Sequence, residues 1–150
     1  MANLVRALSS GFIGACAVTA LNLIAQRVTP NAPKLDILGM RALAAMIAGL
    51  GERPPQGEKL RTETLVGDLI SNTVYYSLIG SGDSNRGTWV RAVILGLAAG
   101  VGAAFLPPLL GLGKQPTGNR TLTRLLTILW YFYGALAAAT AARTLAKAAD

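Results

Sequence analysis

The sequence has no histidine, one cysteine and only seven acidic residues among 150. Without histidine there is no imidazole base for a hydrolytic triad, and no histidine ligand for zinc, haem or chlorophyll. The lone Cys16 cannot close an internal disulfide, and a small thiol suits apolar packing. The acids are Asp36, Glu52, Glu58, Glu63, Asp68, Asp83 and Asp150, with no DxxD or ExxE pair for carboxylate chemistry. Charge is scarce altogether: 14% of residues, against about 25% in an average soluble domain. What fills the chain is apolar, 52% by count, with a mean hydropathy of +0.45. These features exclude a disordered chain and a disulfide scaffold, and they point to a lipid bilayer as the solvent. No enzyme activity, cofactor or metal is expected.

The gaps between charges test that reading. A hydrocarbon core about 30 Å thick takes about 20 apolar helical residues. Uncharged runs of 20, 22 and 18 residues lie at Ala7–Gln26, Ala92–Gly113 and Leu125–Ala142. A chain this short has too much surface to bury three such helices in water. Spans are therefore expected at 7–26, 92–112 and 125–142. A fourth is expected at 64–82, although it contains Asp68, Ser71, Asn72, Tyr75 and Tyr76. A carboxylate at mid-bilayer costs about 2.5–3.5 kcal/mol, and Asp68 sits only about a turn from the segment's start.

The stretch 36–50 is too short to cross comfortably. Ile37, Met40, Leu43, Ile47 and Leu50 recur at helical spacing, and Asp36 is placed to cap the start. An amphipathic helix in the plane of the interface, or a re-entrant segment, fits better. Pro107-Pro108 lies inside the third gap, where lost backbone donors predict a kink or a stop. The linkers at 29–33, 52–63, 80–87 and 114–121 have the Gly, Pro and Asn content of turns. The expected architecture is a single all-α integral membrane helical bundle of about four transmembrane helices plus one short interfacial helix. Its general look is that of short multi-pass proteins of the bacterial inner membrane. The first gap is long for a cleaved leader, so that span is expected to be retained, although Ile13-Gly14-Ala15-Cys16 faintly resembles a lipoprotein cleavage box.

The formal charge is +7. Nine cations fall in the loops at 27–61 and 114–124 and five on the other side, which predicts that those loops face the cytoplasm and the termini face out. Basic loops suit anionic lipid headgroups. The cations are scattered rather than stacked in a stripe with aromatics, so nucleic-acid binding is not expected. Trp89, Tyr75 and Tyr76 suit an interfacial belt, while Trp130-Tyr131-Phe132-Tyr133 suits a belt or a packing surface.

Two constellations stand out. The first is small residues at four-residue spacing. Gly96 and Gly100 form a GxxxG, Gly11 and Gly14 lie in a small-residue stretch of the first span, and Gly134 continues the theme in the last. They serve either the chain's own packing or an interface with a second copy or a larger membrane complex. The second is polar. Asp68, Ser71, Asn72, Tyr75 and Tyr76 share a helix face, and Thr19, Asn22 and Gln26 share one on the first span. In lipid these faces need partners, so they are expected to meet, with Asp68 paired to Arg41 or Arg27.

Gly82-Asp83-Ser84-Asn85 resembles the nucleophile block of GDSL-type hydrolases, but that family's base is a histidine and this chain has none. The expected function is a structural or accessory subunit packing through Gly/Ala faces. The alternative is a small transporter or channel centred on Asp68.

Overall fold

In the computed structural model, residues 2–82, 84–113 and 120–149 are described. Most of the 114–121 linker, and Asp83 of the 80–87 turn, lie outside them. The regular structure is helical throughout: α1 (Ala2–Val28), α2 (Leu35–Gly49), α3 (Gly57–Gly80), α4 (Asn85–Leu109) and α5 (Arg120–Ala149). Among the described residues three stretches are long and apolar enough to cross a membrane, Asn3–Val28, Asn85–Leu109 and Arg120–Ala148. The segment expected as the fourth, 64–82, falls in α3. That helix has the length, but Glu58, Lys59, Arg61 and Glu63 at its start and Asp68 and Asn72 further on dilute its apolar content.

The helices overrun the charge-free gaps because flanking cations such as Arg6 and Arg27 continue the helical backbone out of the apolar zone. Asp36 does not cap α2. The N-cap position is Lys34, and the Asp36 carboxylate instead accepts a hydrogen bond from Gln26 Nε2 at 3.0 Å, tying α2 to α1.

Pro107 and Pro108 do not stop α4, which runs through them to Leu109. They stand in its final turn, where the carbonyls they leave unpaired are few and near the end. Gly111, at φ +73°, then reverses the chain. Its N–H donates to Pro108 O at 3.3 Å, and the Leu112 N–H to Pro107 O at 2.9 Å. This paired Schellman closure recurs at α2, where Gly51 (φ +83°) donates to Ala48 O and Glu52 to Ile47 O.

Neighbouring residues fix the topology. Gly11 of α1 meets Thr73 and Ser77 of α3, while Ala7 and Ser10 meet Gly80, so α3 runs antiparallel to α1. Gly96 faces Ala135 and Gly100 faces Ile128, so α5 runs antiparallel to α4. Helix α1 is central, packed on α3 and α5, and α2 lies across one end with Gly39 against Thr64.

Small side chains fill the interior. Ala92, Ala135, Ala138 and Ala139 are fully buried around Val18, Tyr76 and Ile79. On α4 the buried residues recur every fourth position: Thr88, Ala92, Gly96, Gly100 and Ala104. Large apolar residues point outward, among them Phe12, Ile24, Ile70, Val74, Ile94 and Leu125. Small inside and large outside is the arrangement lipid favours, because backbones must approach closely where water does not drive association. At the far end of α3, Arg91 Nε and Nη2 both donate to Ile79 O, at 3.2 and 3.0 Å, supplying the helix end with donors and positive charge.

Candidate functional site

All five packing glycines meet their own chain. A Cβ on Gly14 would lie 2.8 Å from Gly134 O, one on Gly96 2.7 Å from Ala135 Cβ, and one on Gly100 2.7 Å from Ile128 Cα. A Cβ on Gly11 would strike Thr73 O, and one on Gly134 would strike a Val18 methyl. The aromatic run behaves similarly: Tyr131 packs on the core, Phe132 backs Gly96, and Tyr133 alone is exposed.

The polar face of α3 divides between several neighbours. Tyr75 Oη donates to Leu95 O of α4 at 2.9 Å, and Tyr76 Oη to Tyr131 O of α5 at 2.9 Å. Each uses the second lone pair of a carbonyl already engaged in its helix. Ser71 is exposed and bonds back to Asp68 O of its own helix. Asn72 is buried and donates from Nδ2 to Asp68 Oδ1 at 3.0 Å.

Arg41 does not pair with Asp68; it donates to Leu112 O at 3.1 Å on an exposed surface. Five residues separate Arg41 from Asp36, which turns it about 140° around α2, away from the α1–α3 side. Arg27 does not reach Asp68 either. Among the described residues the one ion pair is Lys59–Glu63 at 3.9 Å.

Asp68 and Asn22 come together around a cavity of about 320 Å³ between α1, α2 and α3. Helix α1 contributes Val18, Thr19, Asn22 and Leu23, and α2 contributes Leu35, Asp36 and Gly39. From α3 come Glu58, Arg61, Thr62, Thr64, Leu65 and Asp68. Glu58, Arg61, Thr62, Leu23 and Leu65 are exposed and make the open rim, with its polar part at 58–62, while Asn22 and Thr64 are buried. By helical rise Asp68 stands about 16 Å along α3 from Gly57, roughly mid-helix.

Three residues of this lining carry a buried polar atom with no hydrogen-bond partner among the described residues: Thr19 Oγ1, Asn22 Oδ1 and Thr64 Oγ1. A fourth, Trp130 Nε1, belongs to α5 and is not on the lining. An unpaired buried polar atom costs about 1–3 kcal/mol, so three among the lining residues are an expensive concentration.

Sequence reasoning had Thr19, Asn22 and Asp68 but not the rest of the wall. Thr64 and Arg61 were findable by running the Asp68 stripe back at i−4 and i−7. The place of Asp36 was hidden, because it depends on how α2 folds back against α1. The chain matches no protein-family model, no curated protein and no solved structure, so the meaning of this cavity rests on its own residues.

Proposed function

We propose that this is a small, non-catalytic multi-pass membrane protein that admits a polar solute to a cavity ending at Asp68, as a transporter does. The observation that carries the reading is that three residues lining the cavity with Asp68, namely Thr19, Asn22 and Thr64, each hold an unpartnered buried polar atom. A sealed bundle gains by replacing such groups with apolar ones. A bundle that receives solute or water keeps them, because the guest supplies the missing bonds. An accessory subunit docking through Gly/Ala faces is less well supported, since the glycines it would use are occupied within the chain.

In this reading α3 is a fourth span. It lies along α1 from the cavity to Gly80, and its exposed side is apolar through Val66, Ile70, Val74 and Leu78. The end carrying Arg27, Lys34, Arg41, Arg53, Lys59 and Arg61 faces the cytoplasm of a bacterial inner membrane, against anionic headgroups. The cavity mouth opens on that side.

Water access tests the reading. In a Cys16→Ala background, Thr64→Cys in sealed vesicles should react with a membrane-impermeant maleimide supplied from the cytoplasmic face. Thr88→Cys, buried between helices, should stay protected. Equal protection at both positions would remove the basis for a solute path.

A further inference from the structure

We infer that the guest of the cavity is a compact organic cation bearing N–H donors, that is, a primary ammonium or guanidinium group on a short carbon chain. This rests on the solute-binding reading above and names the class of solute. Three observations converge on it.

The first is charge. The lining contains three carboxylates, Asp36, Glu58 and Asp68, against the single guanidinium of Arg61. An anionic guest would meet net repulsion from this lining.

The second is hydrogen-bond polarity. The amide oxygen of Asn22 is buried, unpartnered and able only to accept. The Thr19 and Thr64 hydroxyls can also accept. Asp68 has one oxygen engaged by Asn72 Nδ2 and keeps acceptor capacity on the other. Apart from Arg61 and the hydroxyls, which can bond in either sense, the unsatisfied capacity on these residues, at Asn22 Oδ1 and Asp68, is for accepting. A quaternary ammonium brings charge without a donor, a diol brings donors without charge, and an ammonium brings both.

The third is shape. Among the described residues no three Asp, Glu, Cys or His side chains converge to hold a metal ion. The carboxylates are instead spread from Glu58 at the mouth to Asp68, about 15 Å apart along the helix axis. Val18, Leu23, Leu35 and Leu65 supply apolar wall between them, which suits methylenes linking cationic ends. The volume lies at the lower end of the range for small-molecule pockets.

The test uses the full chain in proteoliposomes with labelled putrescine as probe. Its competitors are the hexamethyl bis-quaternary analogue, of equal charge without N–H, and 1,4-butanediol, with donors but no charge. Saturable putrescine binding is expected, with both competitors at least about tenfold weaker. Asp68→Asn and Asn22→Leu should each weaken putrescine by about tenfold or more, the scale of losing one charge-assisted contact. Thr19→Val, a milder change, should act in the same direction, and circular dichroism reports whether each variant is folded.

Equal competition by the bis-quaternary analogue would overturn the N–H requirement, and equal competition by the diol would overturn the cation. Absence of putrescine binding beside a maleimide-reactive Thr64→Cys would overturn the solute class and leave the wet cavity standing. Absence of both would overturn the two proposals together.

Discussion

Gly14 and Gly134 stand backbone against backbone where α1 passes α5. A side chain on either would press on the other's carbonyl oxygen, at 2.8 Å from Gly14 and 3.0 Å from Gly134. Gly14→Ala should therefore lower stability by about 1–3 kcal/mol, the usual cost of overpacking. The measurement is reversible unfolding in mild detergent. Gly67→Ala is the contrast: its site on α3 has no neighbour within 4 Å, so added helix propensity should raise stability by about 0.5–1 kcal/mol.

The GxxxG of α4 makes a separate prediction. Gly100 lies against the Ile128 backbone within the same chain. Gly100→Ala should lower the unfolding midpoint and leave the particle mass in detergent unchanged. A loss of mass at unaltered stability would show that this face holds a second copy instead.

Tyr76 crosses the bundle to donate to Tyr131 O, and its side chain is fully buried. Tyr76→Phe keeps the ring and removes the bond. Interhelical bonds in membranes average about 0.6 kcal/mol, with a ceiling near 1.7 kcal/mol, so a loss in that range is expected. The readout is the unfolding free energy in detergent or bicelles.

Arg91 should show the difference between a planar fork and a point charge. Its two donors converge on Ile79 O. Arg91→Gln should cost about 1.5–3 kcal/mol, and Arg91→Lys should recover only part of it. Amide exchange near Ile79 and Gly80, at the end of α3, should rise in both, more strongly in the glutamine variant.

Thr64 gives a test of opposite sign. Its hydroxyl is buried without a partner, so Thr64→Val should raise stability in the absence of solute, by about 1 kcal/mol. Putrescine affinity should fall in the same protein. A destabilised Thr64→Val would mean that the hydroxyl has a structural bond.

Charge spacing made most of the helical scaffold legible. Runs free of Asp, Glu, Lys and Arg mark the centres of α1, α4 and α5, because burying an unpaired charge in lipid is costly. The ends were less legible. Arg6 and Arg27 continue helices into the interface, and Pro107-Pro108 is tolerated in a terminal turn closed by Gly111. The site was half legible. Helical periodicity grouped Asp68 with Asn72 and Thr19 with Asn22. It also grouped Tyr75 and Tyr76 with Asp68, although their hydroxyls reach α4 and α5. Periodicity gives direction around one helix, whereas the partner depends on which neighbour stands there.

The packing of α5 against both α1 and α4 bears on how the chain is made. Gly14 of α1 and Gly96 and Gly100 of α4 all close against α5, which follows both of them in the chain. Until it emerges, two notched surfaces face the translocon or bare lipid with nothing to fill them. Assembly then waits for α5, and a nascent chain stalled before residue 120 is expected to present an incomplete bundle.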